Sequence, residues 1–515
     1  MRPPQLTRKA GTGWNETYER CLRAAPEAFD DERVRNLWAG AWQRDGMPQP
    51  TVSPIEGTPV PGPPLLTAGE GHEAVRAAHD THQTWRRVPL AERRARVGAA
   101  LDALTEHRDL LALLLVWEIG KPWKLACQDV DRCVDGVRWY LDECEGQLAG
   151  RVALDGPVSN IASWNYPMSV LMHAVLVQVL AGNAAIAKVP TNGGLSCLTL
   201  ASALVAREGL PVTLISGGGA ELNPALVGSD LLGCVAFVGG RAAGGRVAAS
   251  LSGTGRRHML EQEGLNTWGV WEYSDWELLG GQLRKTFDYG KQRCTAYPRF
   301  VVQRELLDRF LDVYLAAVKD VRFGNPLAVE RPDDDFPELD FGPLINNAKA
   351  KELAGLTSDT IAAGGLPIHR GSLDGGRFLP GQDTSAYLAP ATILSPPRSS
   401  PLFHAEPFGP IDTIVVVDTR AELLSAMNVS NGALVATVSC DDETVAAELA
   451  AEVRAFKVGI NRPRSRGDRE ETFGGHGNAW RGAFVGGDLL TRAITRGPHS
   501  ERLPGNYPDY TLLPA

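Results

Sequence analysis

Three kinds of feature are scarce in this sequence, and each scarcity excludes a class of protein. No apolar run reaches the ~18 residues of a membrane-spanning helix, because the longest run, residues 169–181, contains His173 and Gln178. Acidic residues outnumber basic ones by 61 to 52, and the net charge of -9 argues against nucleic acid as the main partner. Neither a Cys-x-x-Cys nor a His-x-x-x-His pair occurs, so we predict no metal site.

The cysteines and the first residues bear on the compartment. Eight cysteines are scattered without tight spacing, which favours free thiols in a reducing environment over a disulfide framework. The amino-terminal Met1-Arg2-Pro3-Pro4 lacks the apolar core of a signal peptide. We therefore predict a cytoplasmic protein.

The organisation of the chain follows from its length and its prolines. A chain of 515 residues exceeds what one hydrophobic core usually serves, so we expect two or three domains. Residues 1–45 are predicted to be a polar, helical lead-in, and residues 48–64, with seven prolines, a linker or extended surface segment. Helical periodicity follows over residues 73–85, and again from about Leu90 until Gly120 and Pro122 end it.

Short apolar strands then alternate with helices, which is typical of a parallel sheet covered by helices. The predicted strands are residues 158–162, 184–189, 212–216 and 234–238, and the predicted helices or turns between them are 171–180, 195–207 and 222–227. Glycine clusters follow two of the strands, at 217–219 and 239–244, but neither matches G-x-G-x-x-G. They suit either a pyrophosphate at a helix N-terminus or simple tight turns.

A second β/α region extends from Asp275 to about Ala455. Its predicted strands are residues 300–303 and 414–417, and residues 305–321 are predicted to form a helix. A last helical piece is expected at residues 489–494.

Cys294 is the candidate nucleophile. Lys291 and Arg293 precede it and small residues follow it, and nearby positive charge lowers the pKa of a thiol. A cysteine that only fills space is the alternative. The acidic pair Glu261 and Glu263 offers a general base, and the amide of Asn165 offers a donor to an oxyanion, so the parts needed to attack a carbonyl carbon are present.

Taken together, these motifs resemble the aldehyde dehydrogenase superfamily over roughly residues 65–495. The segments that carry the resemblance, in chain order, are Trp164-Asn165-Tyr166-Pro167, Gly182-Asn183, Ala187-Lys188-Val189-Pro190, Phe237-Val238-Gly239-Gly240, Glu261-Gln262-Glu263-Gly264, Lys291-Gln292-Arg293-Cys294, Glu406-Pro407-Phe408-Gly409-Pro410 and Thr472-Phe473-Gly474-Gly475. Their family counterparts are Trp-Asn-Tyr/Phe-Pro, Gly-Asn, a strand ending Lys-Pro, Phe-Thr-Gly-Ser, Glu-Leu-Gly-Gly, Gly-Gln-x-Cys, Glu-x-Phe-Gly-Pro and Pro-Phe-Gly-Gly.

The resemblance implies an α/β fold of three parts. A Rossmann-type cofactor-binding domain would span residues 65–140 and 157–260, and an α/β catalytic domain residues 261–460. A small β oligomerisation element with the tail would comprise residues 141–156 and 485–515, and residues 1–64 would be an N-terminal extension with the proline-rich segment. A homodimer or homotetramer is implied, and the shortness of residues 145–157 compared with the family's tetramer-forming hairpin favours the dimer.

The resemblance also implies roles for individual residues. Cys294 would be the nucleophile, Asn165 part of the oxyanion hole, and Glu261 the base that activates water, with Lys188 as a further catalytic residue. The implied cofactor is NAD or NADP, and the residues that would bind it are Ile161, Ala162, Trp164, Lys188, Thr191, Gly219, Gly239, Gly240, Glu406 and Phe408.

Three departures from the family pattern bear on the base and on the cofactor. Glu263 stands where the family has glycine, so the base is Glu261 or Glu263, and the separation from Cys294 favours Glu261. Thr191 stands where many NAD-preferring members have a glutamate, so no carboxylate there would repel the 2′-phosphate of NADP. Gly240 replaces a serine, which removes one phosphate contact.

The implied activity is oxidation of an aldehyde to a carboxylic acid. The alternatives are an acylating relative that passes the thioester to coenzyme A or phosphate, and an inactive member retained as a binding or structural protein. In the family, the positions of Arg293 and His173 face the aldehyde tunnel, with Thr295 and Phe473 as further substrate-binding candidates. A guanidinium and an imidazole there favour a small polar or anionic aldehyde. The alternative is that Arg293 points to solvent and that His173 is a core histidine.

Overall fold

The computed structural model describes residues 5–30, 33–466, 469–498 and 501–507. Two segments that the predictions include, Met1–Pro4 and residues 508–515 of the tail, lie outside the described residues. Within it the strands are β1 Thr7–Arg8, β2 Asn36–Trp38, β3 Ala41–Gln43, β4 Met47–Pro48, β5 Thr51–Val52, β6 Pro59–Val60, β7 Pro64–Leu65, β8 Val152–Ala153, β9 Val158–Ile161, β10 Ala185–Lys188, β11 Val212–Ile215, β12 Cys234–Val238, β13 Arg257–Glu261, β14 Thr267–Val270, β15 Arg299–Gln303, β16 Ala328–Val329, β17 Leu366–Arg370, β18 Ala391–Leu394, β19 Ile411–Val417, β20 Ala433–Ser439, β21 Ala455–Ile460, β22 Trp480–Ala483, β23 Thr495–Arg496 and β24 Gly505–Asn506.

The α-helices of the described residues are α1 Trp14–Ala24, α2 Ala68–Trp85, α3 Leu90–Glu106, α4 Arg108–Ile119, α5 Trp123–Gln147, α6 His173–Leu180, α7 Leu195–Arg207, α8 Gly219–Asn223, α9 Arg241–Leu251, α10 Trp276–Lys285, α11 Leu307–Lys319, α12 Asn347–Ala362, α13 Pro401–His404, α14 Arg420–Met427, α15 Glu443–Glu452 and α16 Asp488–Ala493. π-helical turns at Pro167–Met172 and Pro224–Gly228 adjoin α6 and α8. The predicted helices at 195–207 and 305–321 are confirmed as α7 and α11.

A nine-stranded sheet in the order β24-β22-β13-β12-β9-β10-β11-β2-β3 forms one half of the fold. Strands β13, β12, β9, β10 and β11 are parallel, which confirms the predicted β/α alternation. In β10, Ala185 and Ala187 pack into one hydrophobic cluster and Ile186 into another, because successive side chains of a strand point to opposite faces. Helices therefore cover both faces of these apolar strands.

The second half contains a seven-stranded sheet in the order β17-β18-β19-β15-β14-β20-β21. All its neighbouring pairs are parallel except the edge pair β17–β18. The strands predicted at 300–303 and 414–417 are confirmed as parts of β15 and β19. Parallel strands with helical connections end at one edge of the sheet, where loops can gather functional side chains.

The prediction of a helical lead-in over residues 1–45 is wrong beyond α1. Strands β2 and β3 form a hairpin at the edge of the nine-stranded sheet, where Leu37 pairs with Leu214 of β11. Leu37 is buried in the main hydrophobic cluster, so tertiary packing overrides the weak local pattern. The proline-rich segment is extended, as predicted, and forms the short ladders β4–β7 and β5–β6.

Two further segments refine the predictions. The long helix expected from Leu90 is broken at His107 into α3 and α4, and Gly120 ends α4 in the left-handed conformation at φ 67°.

Strand β8 pairs antiparallel with β23, with Thr495 opposite Ala153. The two segments predicted to form the oligomerisation element therefore meet.

Candidate active site

The carboxyl ends of the parallel strands bring several predicted residues to one edge of the nine-stranded sheet. Lys188 at the end of β10 pairs with Ile161 at the end of β9. Ile161 in turn pairs with Phe237 of β12, and the next residue of β12, Val238, pairs with Glu261 of β13. Residues far apart in the chain thus share one edge, which is where ligands of open α/β sheets bind.

The loop before Cys294 has an unusual backbone. Tyr289, Gly290 and Lys291 all adopt left-handed conformations, with φ of 60°, 59° and 59°. Lys291 replaces a family glycine, and a lysine in this region is strained. Its Nζ lies 2.9 Å from Oδ1 of Asp412, and both side chains are almost wholly buried. This ion pair offsets the strain and ties the loop to β19.

Asn266, which sequence reasoning missed, fixes the other side of the loop that carries Cys294. Its Nδ2 donates to the carbonyls of Cys294 at 2.7 Å and Ala296 at 2.8 Å. Its Oδ1 accepts from the amides of Leu434 at 3.2 Å and Val435 at 3.1 Å. Asn266 is fully buried and precedes β14, and a lone asparagine at the start of an apolar strand was the only signal in the sequence.

The Cys294 thiol is half-buried and lies close enough to the buried Glu261 carboxylate for that charge to act on its pKa. Burial raises the pKa of Cys294 well above its usual value, and the charge of Glu261 raises it further, while Arg466 acts in the opposite direction. The thiol is therefore protonated near neutral pH, and it needs a base to become a nucleophile. Among the acidic groups that act on this thiol, Glu261 has the largest effect.

The expectation that Lys291 and Arg293 lower the pKa of this thiol is wrong. Lys291 is directed away, to Asp412. Nη2 of Arg293 donates to the carbonyls of Lys285 at 3.3 Å and Thr286 at 3.4 Å, at the carboxyl end of α10. Adjacency in sequence did not reveal these directions, because each side chain finds its partner across the fold.

Asn165 is buried against the same loop. Its Nδ2 donates to the carbonyl of Gln292 at 3.0 Å, and its Oδ1 accepts from the Ser163 hydroxyl at 2.6 Å. The Ser163 bond orients the amide so that its NH2 group faces the nucleophile loop. An amide NH2 has two protons, so one is left for a further acceptor.

Arg466 is a second residue that sequence reasoning missed. Its Nη1 lies 3.7 Å from Oε2 of Glu261, and its guanidinium lies 5.0 Å from the centre of the Phe473 ring. The Arg466 side chain is 49% exposed, so it borders both the buried Glu261 carboxylate and solvent. It stands in an arginine-rich loop after β21, and that richness was the available signal.

His173 lies beside this group, packed against the ring of Tyr140 with centroids 5.7 Å apart. Burial lowers the pKa of His173 to about 3, with smaller effects from Arg466 and Arg469. The imidazole is therefore neutral, and the cations that act on it are not Arg293. Thr295, half-buried, directly follows the nucleophile.

The predicted cofactor residues form a second group along the sheet edge. The rings of Trp164 and Phe408 meet edge to face at 6.0 Å. Nζ of Lys188 donates to the Val189 carbonyl at 2.9 Å, and burial lowers the pKa of Lys188 to about 8. Oε1 of Glu406 is buried and has no hydrogen-bond partner among the described residues. An orphaned acceptor and a lysine with unused protons suit the hydroxyls of a polar ligand.

The remaining cofactor candidates surround this edge. Gly239 and Gly240 follow β12, and Gly240 is the N-cap of α9 without a side-chain cap. Gly219 begins α8 after β11. Ala162 follows β9 and is half-buried, whereas Thr191 is exposed.

The described residues contain neither a candidate membrane span nor a candidate metal site. None of their helices combines the length and apolar character that crossing a membrane requires. None of their His, Cys, Asp and Glu side chains gather in threes around a point that could hold a metal ion. All eight cysteines are free.

The sequence profile of the aldehyde dehydrogenase family matches residues 42–496. The chain is 24% identical to 3,6-anhydro-alpha-L-galactose dehydrogenase of Vibrio sp. strain EJY3, over 81% of this chain and 87% of that protein. It is 24% identical to mitochondrial succinate-semialdehyde dehydrogenase of Oryza sativa subsp. japonica, over 79% of this chain and 78% of that protein. The crystal structure of NADP-dependent glyceraldehyde-3-phosphate dehydrogenase from Bacillus halodurans C-125 with NADP superimposes with a TM-score of 0.80 at 24% identity, covering 90% of this chain and 98% of that one. With a match that spans most of its length, this chain belongs to the aldehyde dehydrogenase family.

Proposed function

We propose that this chain oxidises an aldehyde to a carboxylic acid by covalent catalysis at Cys294, with NAD or NADP as the electron acceptor. The observation that carries the proposal is the buried Glu261 carboxylate, whose Oε1 has no hydrogen-bond partner among the described residues and whose charge acts on the Cys294 thiol. Aldehyde oxidation is the activity of the family to which the chain belongs. NADP stands in the titles of related proteins and structures, which supports the choice of cofactor.

The residues at the sheet edge fit a dinucleotide. Lys188 would donate to ribose hydroxyls, and the orphaned Oε1 of Glu406 would accept from them. Trp164 and Phe408 would flank the cofactor. Thr191 is exposed and carries no charge that would repel the 2′-phosphate, so the site would accept NADP as well as NAD. When bound, the nicotinamide supplies the acceptor for the hydride that leaves the substrate carbon.

The first half of the reaction forms a bond to sulfur. Glu261 takes the proton of the Cys294 thiol, and the sulfur attacks the carbonyl carbon of the aldehyde, whose oxygen becomes an oxyanion. Two donors would hold this oxygen: the backbone N–H of Cys294 and the Nδ2–H of Asn165 that does not donate to Gln292. Loss of hydride from that carbon leaves a thioester on Cys294.

The second half releases the acid. Glu261 first passes the thiol proton to solvent and then takes a proton from water, the water oxygen attacks the thioester carbon, and the C–S bond breaks. The sulfur leaves as a thiolate and is reprotonated, and the product departs as a carboxylate. Because Glu261 is retained, we propose water as the acyl acceptor in preference to coenzyme A.

Glu261→Gln is expected to separate the two halves of the reaction. The variant loses the negative charge that raises the pKa of Cys294, so the thiol can still lose its proton to solvent. An amide cannot accept the water proton, so we expect a burst of reduced cofactor, close to one per active site, followed by turnover slower by about 100-fold or more. Stopped-flow absorbance of NADH or NADPH measures both phases. Coenzyme A added to the wild-type enzyme should leave the steady-state rate unchanged.

Glu263→Gln is the matched control for the base. Glu263 is half-buried beside α9, and its charge is not among the main influences on the Cys294 thiol, so this variant should show no burst. A burst in Glu263→Gln with normal kinetics in Glu261→Gln would transfer the base role to Glu263. Acceleration by coenzyme A would instead favour the acylating alternative.

A small anionic aldehyde is the substrate class that we propose, with Arg466 as the residue that binds its charge. Arg466 borders solvent and the Cys294–Glu261 pair, and it lies over Phe473. A guanidinium offers bidentate hydrogen bonds to a carboxylate or phosphate. The related succinate-semialdehyde dehydrogenase acts on an aldehyde of this class, as its name states.

Arg466→Met should lower kcat/KM for succinic semialdehyde by about 10- to 100-fold, because a charged hydrogen bond contributes ~1.5–3 kcal/mol. Butanal, which has the same chain length without the acid, should lose less than about threefold. Arg293→Met is the matched control and should keep the preference for the anion, since Arg293 is bound to the end of α10. If Arg293→Met removes the preference and Arg466→Met does not, the assignment is reversed.

Two broader proposals concern the assembly of the chain and its location. The paired segments β8 and β23 support association of the chain as a homodimer or homotetramer through this element, since Val152 there is 56% exposed. Eight free cysteines support a reducing, cytoplasmic location.

A further inference from the structure

The N-terminus of α9 is already in contact with a carboxylate of the same chain, that of Glu263. Oε2 of Glu263 lies 3.5 Å from the backbone N–H of Arg241, the first residue of this helix. A Cβ added to Gly240 would lie 3.9 Å from the same oxygen, so the carboxylate stands over the glycine turn. Gly240 provides no side-chain cap, and the carboxylate therefore faces backbone donors and the positive end of the helix dipole.

This helix begins at the edge where the cofactor residues gather. It directly follows β12, which lies between β9 and β13 in the sheet. Glu263 is also close enough to Glu406 that its charge raises the pKa of that buried carboxyl, after the larger effect of burial. Oε1 of Glu406 lies at the same edge, and this buried atom has no hydrogen-bond partner among the described residues.

We propose that Glu263 occupies the position of the cofactor's diphosphate at the start of α9, and that it therefore weakens the binding of NAD and NADP. This inference rests on the proposed function. The backbone donors of one helix N-terminus serve either the carboxylate or a phosphate, and the two anions repel each other. The family has glycine at this position and lacks the competing charge.

The inference is tested by measuring dissociation constants of NADH and NADPH by fluorescence, and of ADP-ribose and adenosine by calorimetry. Glu263→Gln and Glu263→Gly should bind the three diphosphate ligands about 3- to 30-fold more tightly than the wild type, in line with the effect of a charge at a helix end. Adenosine, which has no phosphate, should bind equally to all. Raising the salt concentration from ~20 mM to ~500 mM should reduce the difference, because salt screens the repulsion.

Glu277→Gln is the matched control, because it also removes one carboxylate from the first turn of a helix, but on α10. It should leave every dissociation constant unchanged. Equal or weaker binding of the diphosphate ligands by both Glu263 variants, with unchanged thermal unfolding, would overturn the inference alone. Tighter binding of adenosine to the same extent would also overturn it, since the effect would then not act on phosphate. Failure of the wild type and all variants to bind NADH or NADPH would overturn the proposed function as well.

Discussion

Replacing Cys294 by alanine is expected to lower the turnover of aldehyde by at least ~1,000-fold, because no other group can form the bond to the substrate carbon. The binding of NADH should persist, since the thiol is not among the groups that would hold the ribose hydroxyls. Initial rates from the absorbance of the reduced cofactor, together with NADH fluorescence titration, measure both effects.

Cys440→Ala is the matched control for this variant. Cys440 is a fully buried free thiol in a separate hydrophobic cluster, so its replacement should lower stability and leave kcat unchanged. A Cys294→Ala variant that keeps more than about a tenth of normal turnover would exclude the covalent mechanism. A wild-type protein that binds NADH yet oxidises no aldehyde would support the inactive alternative.

Replacing Lys291 by methionine is expected to lower the free energy of unfolding by about 3–5 kcal/mol, the usual effect of removing one partner from a buried ion pair. Lys291 pairs with Asp412 at 2.9 Å, and it also donates to the Thr286 hydroxyl at 3.1 Å and the Tyr297 carbonyl at 2.9 Å. The variant leaves the Asp412 carboxylate without its cation. Urea unfolding followed by circular dichroism measures the loss.

The loss should depend on pH. Burial raises the pKa of Asp412 in the folded protein, and without Lys291 nothing of opposite charge opposes this effect. The folded variant then retains a proton that the unfolded chain releases near pH ~3.9, so its stability falls as the pH rises above that value. The deficit relative to the wild type should accordingly be smaller at pH ~4.5 than at pH ~7.5.

The double variant Lys291→Met/Asp412→Leu is the control for this interpretation. Replacing a whole buried ion pair by apolar side chains is often close to neutral, so the double variant should recover most of the stability. If the single variant loses less than ~1 kcal/mol, the pair does not hold the loop. Lys291→Gly should be more stable than Lys291→Met, because glycine adopts the positive φ without strain.

Local patterns in the sequence were sufficient for the alternating strands and helices of residues 158–250. Strands such as Cys234–Val238 and helices such as Leu195–Arg207 appear where their apolar runs predict them. The order of the short motifs was likewise sufficient for the family, because each motif needs only a few neighbouring residues. Asn165, Lys188, Glu261 and Cys294 could be named for the same reason.

Only the tertiary structure determined which way the charged side chains point. Lys291 and Arg293 flank the thiol in sequence, yet one pairs with Asp412 and the other with the end of α10. Arg466 reaches Glu261 from a loop that follows a different sheet. The edge hairpin Asn36–Gln43 also depends on its pairing with β11. Such contacts join residues that are distant in the chain, and their free energy comes from burial and charge pairing across the fold, which no local pattern records.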